Sequence, residues 1–142
     1  MDVLVHIDGG ARGNPGPAGA GVVVRSADDE KVLFEGGFFL GTTTNNVAEY
    51  HALLRGLRVA LRLGADGVEV RSDSQLLVRQ MTGRYRVRNH VLRELFERAR
   101  ELSKGFRRCS FRHVPRESNR AADALVNRAI NMKSDVRDAA GD

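Results

Sequence analysis

Apolar and polar stretches divide the chain into three strands followed by alternating helices and strands. Residues 3–7 form a short apolar run, which predicts a strand buried on both faces. The next apolar segments are joined by short polar links and predict antiparallel neighbours. Gly9 to Gly21 is rich in Gly, Pro and Ala and is interpreted as a loop. The predicted strands span residues 3–7, 21–26, 31–40, 67–72 and 106–114.

Helical periodicity begins after the third strand. Between residues 46 and 63 the apolar positions recur at intervals of three and four, which predicts an amphipathic helix. Thr44 or Asn45 is a natural N-cap for this helix, and Gly64 is a natural residue for its C-terminal end. The same reasoning predicts helices at residues 74–81, 89–103 and 120–132.

The predicted element order is β-β-β-α-β-α-α-β-α. This order indicates an α/β fold with a five-stranded mixed sheet and helices on both faces. Its first, fourth and fifth strands are expected to be parallel, because right-handed crossovers connect them. We expect one domain at residues 1–132, and a polar, disordered tail at residues 133–142. Ligand sites in such sheets lie beyond the carboxyl ends of the parallel strands.

Composition narrows the class of protein. The chain has 142 residues and a single cysteine, Cys109, which excludes an internal disulfide framework. No apolar run approaches the roughly 18 residues that a membrane helix needs. The N-terminal segment lacks the basic and apolar regions of a secretory signal. We therefore expect a soluble, cytoplasmic monomer with no membrane partner.

Positive charge is concentrated in one part of the chain. The net charge is +5, yet residues 79–116 contain twelve Arg or Lys and only three Glu. A basic region of this kind indicates a polyanionic partner, with nucleic acid the first candidate. The alternative is a solvated helix face, since pairs such as Arg93 and Glu97 are spaced for ion pairing within a helix.

Four carboxylates lie where the predicted elements begin or end. Asp8 and Asp73 end the first and fourth strands, while Glu49 and Asp123 lie in the first turns of two helices. Like charges ~4 Å apart cost about 4 kcal/mol near an effective dielectric of 20, so a converged cluster would need neutralising. Oxygen-only ligands suit Mg²⁺ or Mn²⁺. Taken singly, Glu49 and Asp123 could be helix acids favoured by the macrodipole, and Asp73 could be an N-cap.

Four segments in this order resemble the motifs of type 1 ribonuclease H. They are IDGGARGNPGPAG at residues 7–19, TNNVAE at 44–49, SDSQ at 72–75, and HVPRESN at 113–119 with Ala122 and Asp123. The resemblance covers residues 3 to about 130. The loop at residues 82–88 is too short for the extra basic helix that some bacterial members carry, so the chain resembles the compact form without this basic protrusion.

The resemblance implies an endonuclease that hydrolyses the RNA strand of RNA/DNA hybrids and leaves 5′-phosphate and 3′-hydroxyl ends. It also implies two Mg²⁺ ions, for which Mn²⁺ can substitute, held by Asp8, Glu49, Asp73 and Asp123. Two such ions can clamp an in-line displacement at phosphorus. His113 matches a histidine proposed in the family to move protons or to help the product leave. A purely structural role at the end of the last strand is the alternative for His113.

The resemblance further implies contacts with the hybrid. Neutral polar groups beside the metals are expected to contact the minor groove, where the 2′-hydroxyl distinguishes RNA from DNA. These residues are Gly10, Asn14, Asn45, Asn46 and Gln75. Thr44 and Asn89 are expected to hold a DNA-strand phosphate, and Arg84, Arg86 and Arg88 to replace part of the missing protrusion. Simple turn or cap roles would also explain the asparagines at positions 14, 45 and 46.

Two other functions remain open from the sequence. One is a non-catalytic module that binds RNA/DNA hybrids on the same fold, although four carboxylates near phosphates would weaken such binding. The other is a nuclease or transferase of the same superfamily that acts on DNA, such as a junction resolvase or an integrase. The Asn and Gln residues beside the first three motifs favour the hybrid as substrate.

Overall fold

The computed structural model describes residues 1–137. These residues form a six-stranded mixed sheet with helices on both faces. The strands are β1 (Asp2–Ala11), β2 (Gly16–Ser26), β3 (Val32–Thr43), β4 (Gly67–Ser72), β5 (Arg108–His113) and β6 (Val136–Arg137). The helices are α1 (Asn45–Arg62), α2 (Gln75–Met81), α3 (His90–Ser103) and α4 (Arg120–Met132), with a 3-10 helix at Arg116–Asn119 before α4.

The sheet has the strand order β5-β4-β1-β2-β3-β6. β1, β2 and β3 are antiparallel neighbours, whereas β1, β4 and β5 are parallel. These pairings confirm the predicted mixed sheet and its three parallel strands. The parallel pairing places the C-terminal end of β4 beside the second half of β1, and the C-terminal end of β5 beside that of β4.

β1 does not end at Asp8, and the predicted loop at residues 9–21 is wrong for most of its length. β1 continues to Ala11 and pairs with β2, which already begins at Gly16. Small residues carry little hydrophobic signal, but their backbone groups still complete the ladder. The parallel pairing of β1 with β4 does stop at Ile7 and Ser72. Asp8 therefore lies at the point where β1 loses its parallel neighbour.

The sixth strand corrects the prediction of five strands. β6 pairs with Gly36 and Gly37 of β3 and buries Val136 against α4. The backbone N–H of Phe39 also donates to Asp135 over 2.9 Å. The prediction of a disordered tail is therefore wrong for residues 133–137, because one apolar side chain and a short ladder suffice to hold them. Its remaining part, residues 138–142, lies outside the described residues.

The two faces of the sheet bury different side chains. Val22 and Val24 of β2 pack in the larger core beneath α1, and Val23 between them points to α4 on the other face. α4 approaches the sheet closely because β2 and β3 present glycines to it. A Cβ atom on Gly21 would overlap the carbonyl of Ala122, and one on Gly37 would lie 2.5 Å from the carbonyl of Leu125. This close approach fixes the height of α4 above the sheet.

Helices α1, α2 and α3 each begin with a side-chain cap, whereas α4 has none among the described residues. Thr44 accepts a hydrogen bond from Val47 N–H at the start of α1, and Asn89 accepts from Val91 and Leu92 at the start of α3. Ser74 caps α2 by accepting from Leu77 N–H, so Asp73 is not the cap of this helix. None of the helices within residues 1–137 combines the length and the apolarity needed to cross a membrane.

Candidate active site

A cavity of about 570 Å³ opens where β1 loses its parallel neighbour. Three of the four predicted carboxylates line it, together with the predicted histidine: Asp8, Asp73, Asp123 and His113. Gly10 also lines this cavity. Residues far apart in the sequence thus meet at one edge of the sheet, as the strand order predicts.

Glu49 reaches the same region from α1. A Cβ atom on Gly9 would overlap the backbone of Ala48 and Glu49, so α1 passes directly against β1 one residue after Asp8. The Glu49 carboxylate shares a hydrogen bond with Ser74 and interacts with the charge on Asp73. Because α1 begins at Asn45, Glu49 lies beyond its first turn, which argues against the macrodipole explanation for this acid.

Asp123 is brought to Asp8 by a second close approach. Asp8 pairs with Gly21 in the β1–β2 ladder, and the carbonyl of Ala122 lies over Gly21. Asp123 follows directly in α4, and its carboxylate accepts a hydrogen bond from the Asp8 carboxyl group. Two glycines that flank Asp8 in the sheet, Gly9 along the strand and Gly21 across it, therefore allow α1 and α4 to converge on it.

Burial and mutual repulsion keep protons on this cluster. Burial raises the pKa of Asp8 to about 8, and the charge of Asp73 and the contact with Asp123 act in the same direction. Burial likewise raises the pKa of Glu49 to about 7, while the hydrogen bond with Ser74 opposes this shift. Burial also raises the pKa of Asp73, against the nearby positive charge of Arg116. The site concentrates more negative charge than its own cations neutralise.

The donor set fits a hard divalent cation. All four acidic side chains offer carboxylate oxygens, which Mg²⁺ and Mn²⁺ prefer, and the raised pKa values of Asp8 and Glu49 mark negative charge in need of a counterion. Within residues 1–137, no three His, Cys, Asp or Glu side chains already stand in metal-binding geometry.

The raised pKa values predict how the stability of the metal-free protein depends on pH. Asp8 keeps its proton in the folded chain up to about pH 8 but loses it near its ordinary value of 3.8 in the unfolded chain. The contribution of Asp8 to stability therefore falls as pH rises through this window. We expect Asp8→Asn to be more stable than the wild type in EDTA, by a margin that widens between about pH 5 and pH 8.

Thermal denaturation at constant ionic strength would measure this margin. Mg²⁺ should narrow it at the upper pH, because the cation favours the ionised wild-type site. Asp28→Asn, an exposed change in the β2–β3 turn, serves as the control and should show no such trend. A margin that stays constant with pH would contradict the shift at Asp8.

The predicted minor-groove residues are partly fixed by one another. Asn14 accepts a hydrogen bond from Asn45 N–H over 3.1 Å, and Asn45 accepts one from Ala11 N–H over 2.8 Å. These bonds tie the β1–β2 turn to the start of α1, where Asn46 is exposed. A Cβ atom on Gly10 would meet nothing closer than 3.9 Å, so packing does not require glycine at this position.

The remaining predicted residues lie outside the carboxylate cavity. Gln75 and Arg84 line a neighbouring cavity of about 300 Å³, which His113 also lines. Arg86 and Arg88 are exposed on either side of buried Val87. Thr44 and Asn89 cap α1 and α3, whose N-termini favour anions. The structure thus assembles the four carboxylates and His113, but leaves the phosphate and basic contacts as a separate surface.

Sequence reasoning missed three groups that shape the site. Gly21 gave no signal because its function depends on a helix one hundred residues away. Arg116 lines the cavity and acts on Asp73. Asn119 is 2% exposed and donates a hydrogen bond over 2.8 Å to the carbonyl of Ile7, directly before Asp8. Only the position of Asn119 within the fourth motif pointed to it.

Comparison with known proteins identifies relatives of this chain. The family model described as "Reverse transcriptase-like" matches residues 6–129. The Bifunctional protein Rv2228c of Mycobacterium tuberculosis is 47% identical over 92% of this chain, which spans only 36% of the length of that relative. The chain thus corresponds to about a third of this longer protein.

Two solved structures of similar proteins match this chain over nearly their whole length. RNase H1 from the halophilic archaeon Halobacterium salinarum is 45% identical, with a TM-score of 0.90 over 93% of this chain and 99% of its own. LC11-RNase H1, isolated from compost and solved in complex with an RNA/DNA hybrid, is 44% identical, with a TM-score of 0.86 over 92% of this chain and 98% of its own. Identity at this level, together with the matching fold, shows that the chain belongs to the type 1 ribonuclease H family.

Proposed function

We propose that this chain is an endonuclease that hydrolyses the RNA strand of RNA/DNA hybrids and leaves 5′-phosphate and 3′-hydroxyl ends. The observation that carries this proposal is the convergence of Asp8, Glu49, Asp73 and Asp123 around one buried edge of the sheet. Four carboxylates would repel a polyanion, so a site of this kind that acts on nucleic acid must also bind cations. The hybrid bound by LC11-RNase H1 supports the choice of substrate.

The four carboxylates are the proposed ligands of two Mg²⁺ ions, for which Mn²⁺ can substitute. When bound, these ions would supply a nucleophile from water at neutral pH and stabilise the charge on the leaving 3′ oxygen. Asp8 interacts with each of the other three acids and is proposed to hold both ions. Asn119 and Gly9 keep the backbone on either side of Asp8 in place.

The chain's own residues have three further proposed tasks. His113, on the rim of the carboxylate cavity, is proposed to carry a proton to the departing product. The groups beside the β1–β2 turn and the start of α2 are proposed to contact the minor groove and its 2′-hydroxyls; they are Gly10, Asn14, Asn45, Asn46 and Gln75. Thr44 and Asn89 are proposed to bind a phosphate of the DNA strand, helped by the anion preference of their helix N-termini.

Strand cleavage on matched duplexes tests the proposal. RNA/DNA, RNA/RNA and DNA/DNA duplexes of one sequence would be incubated with the protein in Mg²⁺ and then in Mn²⁺. We expect cleavage of only the RNA strand of the hybrid. Binding of the hybrid without cleavage in either metal would instead support a non-catalytic binding module. Cleavage of duplex DNA would support a DNA-acting member of the superfamily.

The basic loop between α2 and α3 should make hybrid binding depend on salt. Removal of one protein contact to a phosphate flattens the plot of log affinity against log salt by about 0.9. We expect Arg86→Ala/Arg88→Ala to flatten the slope by about 1.8 if both side chains bind phosphates. Arg25→Ala/Lys31→Ala removes two charges at the β2–β3 turn, away from the site, and should leave the slope unchanged. If the two double variants showed the same salt slope, the proposal that Arg86 and Arg88 bind phosphates would be contradicted.

A further inference from the structure

A groove leaves the carboxylate cavity along the edge strand β5. Three neighbouring cavities share lining residues: His113 belongs to the first and second, and Phe111 and Thr82 belong to the second and third. The second and third cavities have volumes of about 300 and 540 Å³. From His113 to Cys109 the groove follows β5 for about 13 Å, at the usual rise per strand residue.

The lining of this groove is positively charged. Arg79 and Arg84 line its first part, and Arg100 and Lys104 line its far end. In the described part of the chain, neither part is lined by Asp or Glu. Within residues 1–137, Lys104 has an acidic partner, Glu101, at 3.4 Å, but both side chains are more than two-thirds exposed. An exposed ion pair of this kind contributes little to stability, so Lys104 can leave Glu101 and pair with another anion.

Aromatic rings accompany these charges. The Phe111 side chain is partly buried between the core and the groove. Tyr85 is 47% exposed, and its hydroxyl accepts a hydrogen bond over 2.8 Å from Arg79, whose guanidinium also lies 5.3 Å from the ring. An aromatic ring held in place beside basic side chains suits the stacking of an unpaired base.

We propose that this groove binds a single-stranded extension of the RNA strand. The inference rests on the proposed function, because the strand that leaves the carboxylate cavity past His113 is the strand cleaved there. One unpaired strand can follow a basic groove with its bases against aromatic rings, which here are Phe111 in the lining and Tyr85 beside Arg79. The groove would thereby favour hybrids whose RNA continues beyond the paired region.

Binding of hybrids with and without overhangs tests this proposal. Asp8→Asn in Mg²⁺ would be titrated with a blunt hybrid and with hybrids that carry a 5′ or 3′ RNA overhang of about six nucleotides, within the range of single-strand sites. We expect one RNA overhang to lower Kd about tenfold, the order of one stacked base. If two phosphates are engaged, this overhang should steepen the salt slope by about 1.4.

Variants at the far end of the groove give the second arm. Arg100→Ala/Lys104→Ala, in the same background, should lose most of the gain from the overhang and bind the blunt hybrid normally. Arg25→Ala/Lys31→Ala is the charge-matched control and should retain the gain. Equal Kd values for blunt and RNA-overhang hybrids would overturn the proposal, as would a gain that survives Arg100→Ala/Lys104→Ala. An equal gain from a DNA overhang would overturn the assignment to the RNA strand.

Cleavage of the blunt hybrid by the wild type separates the two proposals. If the wild type cuts the blunt hybrid and no overhang tightens binding, only the groove proposal fails. If the blunt hybrid is neither bound nor cut, the proposed function itself fails.

Discussion

Replacement of Asp8 by asparagine is expected to lower the rate of hybrid cleavage by at least about 10³-fold, the scale on which loss of a principal electrostatic group slows an enzyme. Asp8 is the acid that interacts with all three of the others, and its carboxylate is the proposed shared ligand of both ions. Asparagine has nearly the same shape but carries no charge. The fold should therefore persist while cation binding is lost.

Single-turnover cleavage in Mg²⁺ would measure this effect, with hybrid binding followed in parallel. Binding of the hybrid should be retained, because the residues proposed to contact its minor groove and its phosphates do not include Asp8. Asp135→Asn supplies a control, since that carboxylate accepts a backbone hydrogen bond from β3 at the far side of the sheet. Cleavage by Asp8→Asn at more than about a tenth of the wild-type rate would exclude Asp8 as the central ligand.

Gly9→Ala is expected to lower the free energy of unfolding by about 3 kcal/mol or more, at the upper end of overpacking costs. The added methyl group would overlap the backbone of Ala48 and Glu49, and a helix backbone cannot rotate away as a side chain can. α1 would have to move and carry Glu49 with it. A displacement of about 1 Å at a catalytic group can cost roughly 100-fold in rate.

The adjacent glycine provides a matched comparison. A methyl group at Gly10 would have nothing within 3.9 Å, so Gly10→Ala should unfold like the wild type. It should nevertheless raise the KM for the hybrid if the strand approaches the backbone there, as proposed. Chemical denaturation and steady-state cleavage of both variants would test this contrast. Equal losses of stability at positions 9 and 10 would show that the α1–β1 contact is not the cause.

The sequence predicted long elements well and short or glycine-rich ones poorly. The periodicity of residues 46–63 located α1 to within one residue at each end, and β4 and α4 have their predicted bounds. The predicted first strand ends four residues before β1 does, because Gly9 to Ala11 have no apolar pattern, although their backbone pairs with β2. β6 was missed because two residues, of which only Val136 is apolar, cannot establish a period.

For the candidate site, order along the chain was more informative than any single residue. The parallel arrangement of β1, β4 and β5 already implies that Asp8, Asp73 and His113 meet at one edge. Individual signals were ambiguous: Asp73 resembled a cap, but Ser74 is the cap. The groups that set distances, such as Gly21 and Asn119, act through contacts with distant segments, which a one-dimensional pattern does not contain.

The glycines beneath α4 have a consequence for the exchange of parts between relatives. Gly21 and Gly37 pair across β2 and β3, and each lies against a carbonyl of α4. The residue types at these two sheet positions therefore depend on the position of α4, although some ninety residues or more separate each glycine from the helix carbonyl it faces. A chimera that takes α4 from a relative with larger residues at the two positions would seat Asp123 at the wrong height. Such a chimera must transfer the sheet positions together with the helix.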